Sequence, residues 1–119
     1  MVLEFKIDLV YHESGISDVP IVCVNGEIDV YTSPKLNDTL NKIINSENKE
    51  VVLNLEKVHY IDSTGLGIIA HNADMFANKG GNFKVVCAQP QLRKIFDVSG
   101  LSRKNVKLFE AEAQALAQN

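Results

Sequence analysis

The stretch Asp62-Ser63-Thr64-Gly65-Leu66-Gly67 sets two hydroxyls directly after a carboxylate and directly before apolar residues at helical spacing. At a helix start the first backbone N–H groups lack intrahelical partners, and the aligned peptide dipoles leave partial positive charge there. Two roles suit that setting. Asp62 or Ser63 can accept a hydrogen bond from the first turn as an N-cap, with the glycines allowing close packing. A hydroxyl at the same point is also a place where a phosphate can sit and be tolerated. One residue can serve both. A second stretch, Gly26-Glu27-Ile28-Asp29, ends on a carboxylate just after an apolar run. Asp29 there suits an Asx-type turn, a cap for the helix that follows, or an exposed acid beside the Ser63 helix start.

Other chemistries do not fit these residues. No lysine follows the glycines in the order a phosphate-binding P-loop requires, and only two glycines stand where a dinucleotide fingerprint needs three. The G-x-S-x-G elbow of hydrolases is absent. Ser63 as a nucleophile would need a base; His59 and His71 are near in sequence, but no third group orients either of them. His12, His59 and His71 have unrelated spacings and neither Cys23 nor Cys87 has a ligand nearby, so no metal and no cofactor is expected. The chain is therefore read as a non-enzyme. Both cysteines lie in apolar runs and are expected as buried small side chains, with a disulfide as the alternative. Met75 and Phe76 read as core or rim of a helix.

The elements that must position these residues follow from periodicity. Residues 3–10 alternate, with Leu3, Phe5, Ile7 and Leu9 expected on a buried face and Glu4, Lys6 and Asp8 in water. Residues 12–19 have loop composition, longer than a hairpin needs, and Pro20 fits a strand start. Residues 21–24 and 51–53 are continuous apolar runs, expected of strands covered on both faces. Ser33-Pro34 reads as N-cap and first helical residue, with Leu36, Leu40, Ile43 and Ile44 on one helix face. A second helix carries Leu66, Ile69, Ala70, Ala73 and Ala77 inward and stops at Lys79-Gly80-Gly81, the lysine complementing its last turn. Residues 83–88 form another buried strand, and Pro90 opens a helix with Leu92, Ile95 and Phe96 inward and a stop at Gly100. Residues 106–109 make a last strand, and residues 111–118 are helix-prone.

The order β, β, α, β, α, β, α, β, α predicts an α/β fold. A mixed, mostly parallel sheet opens with an antiparallel hairpin and is packed by about four helices. Sites in such sheets lie beyond the carboxyl ends of strands. Two loops qualify, residues 26–33 and 56–65.

Length and composition fit one domain over residues 1–119. At 45% hydrophobic and 23% charged, with a formal net charge of −3, the chain can build a core and lacks the basic balance of a nucleic-acid binder. No run is long and apolar enough for a membrane span, and the first residues do not follow the pattern of a secretory leader. A cytoplasmic protein with neither a nucleic-acid nor a membrane partner is expected.

The segment Asn54-Leu55-Glu56-Lys57-Val58-His59-Tyr60-Ile61-Asp62-Ser63-Thr64-Gly65-Leu66-Gly67 resembles the signature of STAS domains of the anti-sigma-factor antagonist type. Gly26 to Asp29 resembles that family's glycine-to-aspartate motif, Ser99-Gly100-Leu101 is also similar, and the element order matches from end to end. The resemblance implies a phosphorylation switch. Ser63 would accept phosphate from an anti-sigma factor that is also a serine kinase; the unphosphorylated form would bind that kinase and free a sigma factor. A metal-dependent serine/threonine phosphatase would reset the cycle. Asp29, Thr32, Asp62, Thr64, Gly65 and Leu66 would form the partner-binding surface, with Thr64 a less favoured second acceptor. The alternative is a STAS scaffold in another assembly, such as a stress-signalling complex or a transporter accessory. A nucleotide-turnover enzyme ranks third.

Overall fold

The computed structural model describes residues 4–13 and 18–117. Five strands pair in chain order: β1 (Lys6–His12), β2 (Val19–Ile28), β3 (Glu50–Ile61), β4 (Asn82–Val86) and β5 (Val106–Phe109). The β1–β2 pair is antiparallel and the other three pairs are parallel. The helices are α1 (Ser33–Ile44), α2 (Ser63–Asn78), α3 (Pro90–Ser99) and α4 (Glu112–Ala117). The fold class read from the sequence is thus the one observed.

The helices α1, α2 and α3, which join successive parallel strands, share one core on one face of the sheet, as crossovers of a single hand require. That face holds the main core. Leu36 and Leu40 of α1, Ile69 and Phe76 of α2, and Leu92 and Phe96 of α3 meet Val22, Val24, Leu53, Leu55, Phe83 and Val85 of the strands. Phe76 and Phe83 meet edge to face, with ring centroids 5.9 Å apart. The opposite face is covered by α4, whose Ala115 packs on Ile21, Val52 and Val86. Beneath α4 the buried Lys84 ammonium donates to the Ala115 carbonyl at 2.8 Å and stands 3.8 Å from the Glu50 carboxylate. Burying this cation is tolerated because both partners answer its charge.

Several expectations need correction. Leu9 lies on the predicted buried side yet is 40% exposed, because the helix layer covers only the Phe5 and Ile7 end of the edge strand. Leu3 lies outside the described residues. His12 and Val19 pair with each other, so the predicted loop at 12–19 shortens to 13–18, of which 14–17 lie outside the described residues. Of the two predicted site loops, 56–65 is mostly strand, and 26–33 is strand as far as Ile28. β2 runs on to Ile28 through two register shifts, near Cys23 and at Gly26, where φ is +113°, and β3 runs on to Ile61. The extra residues fall on β3, where burial steps from Leu55 to Val58 to Ile61 and so breaks the period of two, whereas β2 keeps that period through Val22, Val24, Gly26 and Ile28.

Helix ends differ too. Thr32, not Ser33, is the N-cap position of α1, and Ser33 is fully buried. At the end of α2, Gly81 and Gly80 donate to the Phe76 and Ala77 carbonyls at 2.8 and 3.0 Å, a Schellman stop with Gly80 at φ +78°. Lys79 does not serve the last turn of its own helix. Its ammonium donates to the carbonyls of Ile44, Ser46 and Asn48, at 2.6, 2.6 and 3.0 Å, and so closes the end of α1. Of the residues predicted inward on α2, Ala77 is exposed, whereas Asn72 is buried and donates to Asn37 of α1 at 2.9 Å. Cys23 and Cys87 are free thiols, Cys87 buried and Cys23 half-buried, and burial pushes both up in pKa.

Candidate functional site

β2 and β3 end side by side, with Ile28 opposite Ile61 in the parallel register. Both isoleucines are buried on the helix side, so the next residue of each strand leaves the sheet at the same edge. From β2 comes the turn at residues 29–32; from β3, Asp62 and the start of α2.

The turn is built by Asp29. Its Oδ1 accepts from the N–H groups of Tyr31 and Thr32 at 2.9 and 3.0 Å, an Asx turn. The Thr32 hydroxyl accepts from the Asp29 N–H at 2.9 Å and donates to the Glu27 carbonyl at 2.7 Å. The Thr32 N–H is the largest cause holding the Asp29 carboxyl below the usual carboxylate range. A smaller desolvation effect opposes it, and the Tyr31 N–H and Thr32 hydroxyl add to it.

A lowered folded-state pKa means that ionised Asp29 stabilises the turn fully above its unfolded value, about 3.9. That contribution is lost as pH falls through the folded value. We expect Asp29→Asn, which keeps the Asx acceptor but not the charge, to lose less stability than wild type as the solution is acidified below about pH 4. Paired denaturant titrations at neutral and acid pH measure this. Equal acid sensitivity of the two proteins would refute the assignment.

Asp62 is the N-cap of α2. Its Oδ1 accepts from the Gly65 N–H at 2.8 Å, while its Oδ2 accepts from the Val30 N–H at 3.1 Å. A single carboxylate therefore fastens the helix start and ties it to the Asp29 turn. The two predicted stretches, more than thirty residues apart in sequence, are joined by this bond. Gly65 explains how they come so close. A Cβ there would lie 2.5 Å from Ile28 Cγ2 and 2.9 Å from the Ile28 carbonyl oxygen.

Ser63 and Thr64 are the first two residues of α2 and both are exposed. Their hydroxyls take no hydrogen bond among the described residues, so neither serves as the cap. With Asp62 holding that role, the Ser63 hydroxyl stands free at the positive end of a sixteen-residue helix. Beside it a shallow apolar groove runs between α2 and α3. Ser63, Leu66, Gly67 and Ala70 line it on one side, and Ile95, Val98 and Ser99 on the other.

The profile of the STAS domain matches residues 12–115. The chain belongs to the STAS family. A relative of this STAS domain is the anti-sigma F factor antagonist of Paenibacillus polymyxa, 29% identical over 117 residues, covering 98% of this chain and 96% of that one. The anti-sigma-B factor antagonist of Staphylococcus aureus is 31% identical over 80 residues, 67% of this chain and 74% of the relative. Among solved structures, an anti-sigma factor antagonist from Mycobacterium paratuberculosis superposes with a TM-score of 0.79 at 27% identity, covering 94% of this chain and 92% of that one.

Of the predicted surface, Asp29, Asp62, Ser63, Thr64 and Leu66 gather at one edge of the STAS domain. Thr32 is half-buried and spent within its turn. Gly65 is buried beneath Ile28 and Ile61, where its lack of a side chain lets the helix descend. Sequence reasoning did not single out four exposed apolar side chains. Val30 and Tyr31 project from the turn at 55 and 88% exposure, Tyr60 at 50% from β3, and Val98 at 77% from α3. Val98 had a signal, since it falls outside the inward face set by Leu92, Ile95 and Phe96. Among the described residues no three His, Cys, Asp or Glu side chains come together as for a metal ion, and no helix is long and apolar enough to cross a membrane.

Proposed function

We propose that this STAS domain is an anti-sigma-factor antagonist switched by phosphorylation of Ser63. The unphosphorylated form binds an anti-sigma factor with serine kinase activity and so frees a sigma factor. The kinase moves the γ-phosphoryl group of ATP to the Ser63 oxygen, ADP leaves, and the hydroxyl proton passes to a base of the kinase. A metal-dependent serine/threonine phosphatase later removes the phosphate by hydrolysis. The chain itself supplies only the acceptor, so it is no enzyme in this cycle.

The observation that carries this reading is the free, exposed Ser63 hydroxyl at the start of α2, with the cap taken by Asp62. A hydroxyl already committed to capping would lose its bond on modification; this one does not. The names of the relatives support the partner class, and the apolar groove between α2 and α3, with Val98 exposed in it, supplies surface that a partner can bury as an anchor.

Incubation with ATP and an extract containing the kinase, read by intact mass and peptide mapping, tests this. One phosphate on Ser63 that is absent from Ser63→Ala is the expected result. No phosphate on a folded protein in an active extract would leave a STAS scaffold that binds without being switched.

A further inference from the structure

β1 is the edge of the sheet, and among the described residues its outer row of backbone donors and acceptors meets no other strand. Exposed edges are normally blunted by charged side chains, lysine above all, or by proline, bulges or short length, and β1 carries its charges, Lys6 and Asp8, ahead of its apolar middle. β1 has seven residues in unbroken register with β2 and contains no proline. Its middle carries Leu9, Val10 and Tyr11 at 40, 48 and 53% exposure, three consecutive large apolar side chains covering both faces of the edge.

We propose that a second copy of this chain occupies that edge. Two β1 strands would pair antiparallel about a two-fold axis through Val10, joining two five-stranded sheets into one. The residues select this register. With the axis at Val10, Asp8 faces His12 of the other copy twice, Leu9 faces Tyr11 twice, and Val10 faces itself. Aliphatic–aromatic pairs are favourable directly across a ladder. An axis at Asp8 would oppose two carboxylates. An axis at Leu9 would set the Asp8 carboxylate against Val10.

The dimer leaves the switch free. Val10 pairs with Ile21 near the start of β2, whereas Asp29 and Ser63 lie beyond the far ends of β2 and β3. Each dimer therefore presents two uncovered Ser63 sites.

Sedimentation of the full chain over a wide concentration series tests this. Wild type is expected to associate reversibly to a dimer, and Val10→Lys, which sets two ammonium groups on the axis, to weaken that dimer at least about tenfold. Val10 is half-exposed in the single chain, so this variant should keep the wild-type circular dichroism spectrum. A second measurement fixes the register. In a Cys23→Ser background, Val10→Cys should cross-link on mild oxidation, since on-axis Cα atoms fall within the roughly 4.4–6.8 Å a disulfide spans. Leu9→Cys should not. A wild type that stays monomeric throughout, a dimer indifferent to Val10→Lys, or cross-linking at Leu9 in preference to Val10 would each overturn the proposal.

Discussion

Phosphorylated at Ser63, the protein is expected to bind its anti-sigma partner about a hundredfold more weakly while keeping its fold. A hundredfold corresponds to about 2.8 kcal/mol, and local charge supplies that much. The phosphate adds about −1.5 to −2 charges. In the free protein it is solvated, and the start of α2 stabilises it by roughly 0.3–1 kcal/mol. Asp62 sits next to it in sequence, and the Val30–Asp62 bond holds the ionised Asp29 turn alongside. Unit charges about 6 Å apart repel by about 0.7 kcal/mol in water but about 2.8 kcal/mol at an effective dielectric of about 20. Docking a partner over the site makes that change of medium. Repulsion that costs little in the free chain thus opposes the complex.

Calorimetry on the unmodified and phosphorylated proteins measures the ratio, with Ser63→Ala expected within a few-fold of wild type because its hydroxyl holds no bond. Backbone amide spectra of the two forms should differ only around the start of α2 and the Asp29 turn. Shifts spread across the sheet would mean that the switch works by rearranging the fold instead.

The sheet-and-helix order was legible because apolar runs and helical spacing report burial directly, and burial is what decides the elements here. The site was only half legible. Asp62 and Ser63 could both be read as caps from composition, and only the hydrogen bond from Gly65 assigns the cap to Asp62 and so frees Ser63. Lys79 followed a general rule about helix ends, but its ammonium reaches carbonyls at the end of a different helix, a contact that sequence spacing cannot reveal. Leu9 kept the strand period yet stayed exposed, because the period marks a face and not whether anything covers it. Tyr31 and Val98 are large and apolar yet exposed, which only the tertiary fold reveals.

Gly65 and Gly67, two residues apart on α2, should respond to alanine with opposite signs. At Gly65 the new Cβ would meet the Cγ2 and carbonyl oxygen of Ile28, and at 3.2 Å the Cγ2 of Ile61. Ile28 is fully buried and Ile61 nearly so, and both are β-branched, so neither can turn aside. The helix start must lift instead, which strains the Asp62 bonds to Gly65 and Val30 together. Overpacking of this kind costs about 2–3 kcal/mol, a fall in Tm of roughly 10 °C for a domain this size. At Gly67 a Cβ meets nothing within 4 Å and the residue is helical and exposed. Alanine there removes unfolded-state freedom and should stabilise by about 0.5–1 kcal/mol. Thermal denaturation of the two variants checks both signs. Partner binding separates them further: Gly65→Ala should lose affinity because it moves Ser63 relative to the Asp29 turn. If Gly65→Ala proved as stable as wild type, the start of α2 would have play that the packing does not show, and a switch by local charge at a rigid site would lose its basis.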